Sequence, residues 1–186
     1  MKSNTKIPTD SFLPTEDDIL LMDTNILIKL LYPIDFQGSI DSYAKLFERI
    51  KKVHSNLIIS SIQISEFINR CIRFQYSLYK DKIGNTSLDF KKEYRGTEDY
   101  RVSMEAILDI VKNDIIGYFK FIDDKFCSMR QDKIFIYGFS YDFNDSVVVE
   151  IARMNNAIIV TDDVDFGNYG NDFKIITSNR LLLKFK

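Results

Sequence analysis

Four short, mainly apolar runs set the architecture that this 186-residue chain can adopt. They span residues 19–22, 57–60, 157–161 and 174–177. Apolar runs of four or five residues indicate strands that are buried on both faces of a sheet. The segments between them have helical periodicity, and strands that alternate with helices form a parallel sheet. The sequence therefore predicts an α/β fold, a three-layer α/β/α sandwich around a central parallel sheet.

The first predicted helix begins after Asn25. Further helices are predicted over residues 40–53, 62–80, 98–116, 117–129 and 142–154, and residues 84–96 are predicted to form a loop. Ser61 is the expected cap of the third helix. Residues 1–18 are polar and contain Pro8 and Pro14, which favours a loosely attached lead-in. We expect residues 19–186 to form one domain.

Composition narrows the possible partners and the compartment. Hydrophobic residues make up 45% of the chain, which is enough for a substantial core. The net charge of −2 argues against bulk electrostatic coating of nucleic acid, so a nucleic-acid partner requires a local site. The two cysteines are far apart, which favours free buried thiols in a reducing compartment. No segment of sufficient apolar length predicts a membrane span, so we expect a cytoplasmic protein.

Acidic residues occur in four separate segments where a strand gives way to a turn or helix: Asp23, Glu66, Asp145 and Asp163. The carboxyl ends of parallel strands meet at one edge of a sheet, so these side chains are expected to converge. Crowded carboxylates raise one another's pKa unless a cation compensates their charge. Carboxylate oxygens suit Mg²⁺ or Mn²⁺. The pattern predicts a divalent-metal site.

Each acid also has a simpler interpretation. Asp23 is placed to cap the following helix. Glu66 and Arg70 have the i,i+4 spacing of an exposed ion pair. Asp142 competes with Asp145 for the helix start, and a polar turn would account for the acids that follow Thr161. We assign Asp142 to capping and expect Asp162 to face solvent.

Three motifs resemble the PIN domain, a superfamily of metal-dependent ribonucleases that includes the VapC-like toxins. LLMDTNILI is similar to the family's first strand and acid, SSIQISEF to its second segment, and NDSVVVEIARMNNAIIVTDDVDF to its closing segment. The resemblance implies that Asp23, Glu66, Asp145 and Asp163 are both catalytic residues and metal ligands. It makes Asp165 a further metal-binding candidate.

The resemblance implies a Mg²⁺- or Mn²⁺-dependent endoribonuclease that hydrolyses RNA phosphodiester bonds. For a toxin of a toxin–antitoxin pair it also implies an antitoxin protein partner, and homo-oligomers are usual in the family. The alternative is a catalytically silent PIN-like module that binds RNA or protein. Carboxylates that repel one another argue against the alternative, because a binding scaffold has no need of them.

Several polar residues near the acids are candidates for supporting roles. Asn25 and Thr161 are placed to hydrogen-bond the ligating carboxylates, although strand-end and capping roles explain them equally well. Arg70 and Arg73 share a helical face with Glu66 and are candidates for contacts with RNA phosphates, with a structural salt bridge as the alternative. Aromatic residues at helical spacing in the same segment are candidates for base stacking or for the core: Phe67, Phe74, Tyr76 and Tyr79.

Overall fold

A six-stranded parallel sheet forms the centre of the molecule. The computed structural model describes residues 6–32 and 40–184. The strands are β1 (Lys6–Pro8), β2 (Ile19–Met22), β3 (Asn56–Ile59), β4 (Lys120–Phe121), β5 (Ile158–Val160) and β6 (Lys174–Thr177). Their order across the sheet is β1-β6-β5-β2-β3-β4, and every neighbouring pair is parallel. The predicted α/β class and parallel sheet are confirmed.

The helices are α1 (Thr24–Leu31), α2 (Ile40–Lys52), α3 (Ser61–Ile83), α4 (Glu98–Ile110), α5 (Ile116–Tyr118), α6 (Gln131–Ile134), α7 (Phe143–Met154) and α8 (Arg180–Lys184). A π-helical turn, Val111–Ile115, joins α4 to α5. Short 3₁₀ segments are Tyr94–Gly96, Phe126–Ser128 and Val164–Tyr169. The predicted helices over α2 and α7 are confirmed to within a residue or two at their ends.

Alternate residues of each central strand face two different helical layers. Leu20 and Met22 of β2 pack in one core cluster with residues of α1, α2, α3 and α4. Leu21 packs in a second cluster with residues of α6, α7 and α8. Successive side chains of a strand point to opposite faces, so each layer covers one face of the sheet. This is the three-layer sandwich that the sequence predicts.

Within residues 6–18, the expectation of a loosely attached lead-in is wrong, and the rest of that predicted segment lies outside the described residues. Lys6, Ile7 and Pro8 pair in parallel with Ile175, Ile176 and Thr177 at the edge of the sheet. Arg49 of α2 donates hydrogen bonds to the carbonyl oxygens of Phe12 (2.9 Å) and Thr9 (2.6 Å). An edge strand of three residues that ends in proline is too short to show a periodic pattern, so this strand cannot be predicted from the sequence.

The expected helix over residues 117–129 is also wrong. Lys120 and Phe121 form β4 and pair with Ile58 and Ile59, and the segment then continues into irregular structure and the turn Phe126–Ser128. The strand has only two residues and both are exposed. A two-residue edge strand cannot show period-2 alternation.

The residue that caps the start of α3 differs from the predicted one. Ser60, not Ser61, is the cap residue, and its backbone N–H donates to Oε1 of Gln63 across 3.1 Å. Gln63 in turn donates from Nε2 to the carbonyl oxygen of Met22 at 2.6 Å. The buried Gln63 side chain therefore ties the start of α3 to the end of β2.

Candidate functional site

The candidate site lies at the carboxyl ends of β2 and β5, which are neighbours at the centre of the sheet. From β2 the chain proceeds to β3 and β4 on one side, whereas β6 lies on the other side of β5. This is the point at which strand order reverses, and open α/β sheets bind ligands in the crevice beyond it. Asp23 follows β2 directly, and Thr161 and Asp163 follow β5.

Thr161 holds Asp23 in place. Its hydroxyl donates to Oδ2 of Asp23 at 2.8 Å and accepts the backbone N–H of Asp163 at 3.0 Å. Nδ2 of Asn25 also donates to Oδ2 of Asp23, at 3.3 Å. Both residues make the contacts with a candidate ligand that the sequence suggested for them. Asp23 is 5% exposed, so its conformation depends on these neighbours.

Glu66 reaches the same region from the second turn of α3. Its Oε2 accepts a hydrogen bond from the hydroxyl of Thr24 at 3.2 Å, and its Oε1 lies 3.3 Å from Nη1 of Arg70. The i,i+4 pair with Arg70 is thus present, while the Thr24 contact connects Glu66 to the residue after Asp23. Sequence analysis did not single out Thr24 or Gln63, because hydrogen bonds between residues about 40 positions apart leave no local pattern.

Asp145 lies in the first turn of α7, and Asp142 caps that helix by accepting the backbone N–H of Asn144 at 2.8 Å. The assignment of Asp142 to capping is confirmed. Partial burial raises the pKa of Asp145 to about 8, and the negative charges of Asp23, Asp142, Asp163 and Glu66 add to the effect.

Burial likewise raises the pKa of Asp23, to about 6, against the opposing hydrogen bond from Thr161. The charges of Glu66 and Asp163 raise it further. Asp23, Glu66, Asp145 and Asp163 therefore interact as one group, which we call the carboxylate cluster. Their electrostatic interaction is the observation that indicates the convergence that the sequence predicts.

The cluster is not arranged as a finished coordination shell. Within residues 6–32 and 40–184, no three or more His, Cys, Asp and Glu side chains are positioned to hold a metal ion. Charge repulsion acts over longer distances than coordination, which requires oxygens of several groups at about 2.0–2.6 Å from one point. The donor type fits Mg²⁺ or Mn²⁺, because all four groups are carboxylates.

Asp162 does not face solvent, contrary to expectation. Its carboxylate forms an ion pair with Lys29 of α1 at 2.6 Å and accepts a hydrogen bond from the hydroxyl of Tyr43 at 2.9 Å. The same hydroxyl accepts the backbone N–H of Ser178 at 2.9 Å. Asp162 thus connects the turn that contains Asp163 with α1, with α2 and with the end of β6.

Of the remaining candidate residues, only Asp165 has a hydrogen bond to a member of the cluster among the contacts that the structure describes. Asp165 is exposed and its backbone N–H donates to Oδ1 of Asp163 at 2.9 Å. Arg73 is exposed, with its guanidinium 3.8 Å from the ring centre of Phe90. In the aromatic set on α3, Phe67 is fully buried, and Tyr76 and Tyr79 pack against Tyr94. These three aromatics belong to the core and not to a binding surface.

A cavity of about 290 Å³ lies at the opposite edge of the sheet, lined in part by Ile19, Ile158 and Lys174 at the amino ends of β2, β5 and β6. It touches none of the four carboxylates.

Cys71 is buried as expected, but Cys127 is exposed. No helix in the described parts of the chain has both the length and the apolar character needed to cross a membrane.

The fold and site define the class as an α/β protein with a carboxylate cluster at the switch point of a parallel sheet. No protein-family model matches the sequence, and no curated protein matches it significantly. Among solved structures, the chain is similar to one in the crystal structure of VapBC2 from Rickettsia felis bound to a DNA fragment from their promoter. The similarity covers 86% of this chain and 98% of that chain, at 20% identity and a TM-score of 0.48. Nothing is inferred from a likeness of this size.

Proposed function

We propose that the protein is a Mg²⁺- or Mn²⁺-dependent endoribonuclease in which Asp23, Glu66, Asp145 and Asp163 hold the metal and Asp165 assists at the margin. The observation that carries the proposal is the gathering of four carboxylates at this edge of the sheet, where burial in the first place and mutual repulsion in addition raise the pKa of Asp145 to about 8 and that of Asp23 to about 6. A fold tolerates buried, mutually repelling carboxylates most readily where a bound cation neutralises their charge in the active protein.

Several residues around the carboxylate cluster have a specific role in this proposed chemistry. Asp23, Glu66, Asp145 and Asp163 would hold the Mg²⁺ or Mn²⁺ ion, which would supply a water molecule of lowered pKa and would stabilise negative charge on the phosphate. Thr161 keeps one oxygen of Asp23 occupied and directs the other. Thr24 orients Glu66. No serine, cysteine or histidine nucleophile is required, and Arg70, exposed beside Glu66, is available to a substrate phosphate.

Metal binding tests the proposal independently of catalysis. Mg²⁺ or Mn²⁺ should raise the melting temperature of the wild type at pH 8 and should do so much less for Asp23→Asn and Asp145→Asn. Asp109→Asn, at an exposed position on α4, is the matched control. Equal metal-induced shifts in all four proteins would contradict the assignment of the ligands.

Cleavage is tested with a labelled mixed-sequence RNA, with and without EDTA. Cutting that requires the metal and is lost in both cluster variants supports the nuclease. Cutting that persists unchanged in the variants indicates a contaminating enzyme and overturns the proposal.

A non-cleaving PIN-like binding module is the second candidate. The observation that favours it is that no three ligand side chains in the described residues are positioned around one metal point. The two candidates differ in the melting experiment, because a silent module has no reason to be stabilised by the divalent ion. An antitoxin partner and self-association complete the proposal, and both derive from the sequence resemblance. A cytoplasmic location is also proposed, and it derives from the cysteine content and from the lengths of the apolar segments.

A further inference from the structure

Six exposed aromatic side chains lie in the stretch between the start of β4 and the first turn of α7. We call them the aromatic platform: Phe121, Phe126, Phe135, Tyr137, Phe139 and Phe143. Tyr137 is 97% exposed and Phe139 is at least as exposed. Soluble proteins seldom leave so many large rings in water within one short stretch without a binding role.

The aliphatic residues of the same stretch point the other way. Met129 and Ile134 are buried in the second core cluster, and Ile122 and Ile136 pack against it. Aliphatic side chains thus supply the interior, while the exposed large apolar groups of the stretch are all aromatic. Stacking on nucleobases requires ring faces and gains little from aliphatic area.

Three of the rings are held together in a fixed arrangement. Phe135 and Phe143 are stacked with ring centres 5.9 Å apart, and Phe126 meets each of them edge-on at 6.4 and 6.3 Å. Asp124 fastens one end of the stretch to α3 by accepting the backbone N–H and the hydroxyl of Ser61. These three rings are therefore organised before a ligand arrives, which reduces the entropy cost of binding to them.

The platform lies at the same edge of the sheet as the carboxylate cluster. It begins at the carboxyl end of β4. It ends at Phe143, which shares the first turn of α7 with Asp145, so their Cα atoms are about 5 Å apart by helix geometry. Side chains two positions apart on a helix point to nearly opposite sides, so an RNA strand with a phosphate at Asp145 has to pass around the first turn of α7 to place a base on Phe143 or Phe135.

We propose that the aromatic platform is a stacking subsite for unpaired bases of an RNA strand whose phosphodiester lies at the carboxylate cluster. The position of the phosphate rests on the proposed function. Residues 120–143 contain four basic and four acidic side chains, so phosphate attraction contributes little there. Stacking is the source of affinity, and binding to the platform should depend weakly on salt.

The test measures fluorescence anisotropy of a labelled single-stranded RNA of about 12 nucleotides, in EDTA so that no strand is cut. Replacing Phe135, Tyr137 and Phe139 together by alanine should raise the Kd about 10- to 100-fold. The ring-retaining triple Phe135→Tyr, Tyr137→Phe, Phe139→Tyr should stay within about twofold of the wild type, because the faces remain.

Three controls identify the cause of any loss of affinity. Leu78→Ala with Val102→Ala removes exposed apolar groups from α3 and α4 and should leave the Kd unchanged. An oligonucleotide with abasic sites at its centre should bind the wild type as weakly as the intact strand binds the alanine variant. A fully paired duplex should bind weakly, since its bases cannot reach the rings.

Failure of this inference is separable from failure of the proposed nuclease. Unchanged Kd in the alanine triple, with cleavage lost in Asp145→Asn, overturns the subsite and keeps the nuclease. Ring-dependent binding without any metal-dependent cleavage keeps the subsite and removes the nuclease. If the wild type binds no RNA but forms a dimer that the alanine triple dissociates, the platform is a protein interface and the inference is wrong.

Discussion

Thr161 donates its hydroxyl hydrogen to Asp23 across 2.8 Å and so joins the ends of two neighbouring strands, β5 and β2. The same hydroxyl oxygen accepts the backbone N–H of Asp163. One buried hydroxyl therefore sets the relative position of two candidate ligands that are 140 residues apart in the chain. It also opposes the increase in the pKa of Asp23 that burial causes.

Thr161→Val should destabilise the protein by about 1–3 kcal/mol, because the isosteric side chain leaves the backbone N–H of Asp163 without this partner and leaves Oδ2 of Asp23 with only the longer hydrogen bond from Asn25. Thr161→Ser keeps the hydroxyl and should lose only the small contribution of the methyl group. Urea unfolding at pH 7 measures both. Equal stability of the valine variant and the wild type would show that the hydroxyl does not hold the cluster together.

Asp145→Asn should stabilise the metal-free protein at alkaline pH. The folded-state pKa of about 8 lies above the ordinary value of 3.8, so the folded state holds more protons than the unfolded state between these values. Wild-type stability should therefore fall as pH rises from about 4 to 8, and the variant should be more stable at pH 8.5 by about 1–3 kcal/mol.

Unfolding in EDTA at a series of pH values tests this expectation. Asp109→Asn, which removes an exposed acid from α4, should retain the pH dependence of the wild type. A variant at position 145 with the same slope as the wild type would mean that folding does not raise the pKa of Asp145.

Glu150 shows the opposite pH behaviour. Burial alone would raise its pKa, but hydrogen bonds and charge from Arg130 and Arg153 outweigh burial and lower it. A lowered folded-state pKa contributes stability above the unfolded pKa, and that contribution is lost as pH falls through the folded-state value. The wild type should thus lose this stabilisation in acid.

Glu150→Gln should cost about 3 kcal/mol at pH 7, since it leaves the 11% exposed Arg153 without its main buried counter-charge. The difference from the wild type should shrink in acid. Glu48→Gln, at an exposed pair with Lys51, should cost less than about 1 kcal/mol. Chemical unfolding at two pH values gives both comparisons, and a cost at position 150 no larger than at position 48 would contradict the buried role.

Arg49→Met should release the amino-terminal segment from the sheet. Arg49 binds the carbonyl oxygens of Thr9 and Phe12, which follow β1, and methionine cannot donate to them. The expected result is faster proteolysis near residues 9–14 with little change in the core. Lys52→Met, an exposed change on the same helix, is the control. Equal cleavage rates would mean that pairing with β6 alone holds the segment.

Predictions from the sequence succeeded where one short segment contains its own signal. The runs that form β2, β3, β5 and β6 are apolar and bounded by polar residues, so burial on both faces is encoded locally. The capping of α7 by Asp142 depends on residues within one turn, and it was predicted for the same reason.

The failures share a different physical basis. β1 and β4 exist because another strand offers free backbone groups to segments that have no strand pattern of their own. Asp162 is paired because α1 brings Lys29 to it across 133 positions. Thr24 and Gln63 matter through partners about 40 residues away.

The sequence by itself determined the parallel α/β architecture and the four acids at or just beyond strand ends, because hydrophobic burial and the carboxyl-edge rule act on local patterns. Only the tertiary structure decided how strongly those acids repel one another, which hydroxyl holds which carboxylate, and which aromatic rings stay exposed between β4 and α7. Those properties depend on distances between remote segments, and packing fixes such distances only once the whole chain is folded.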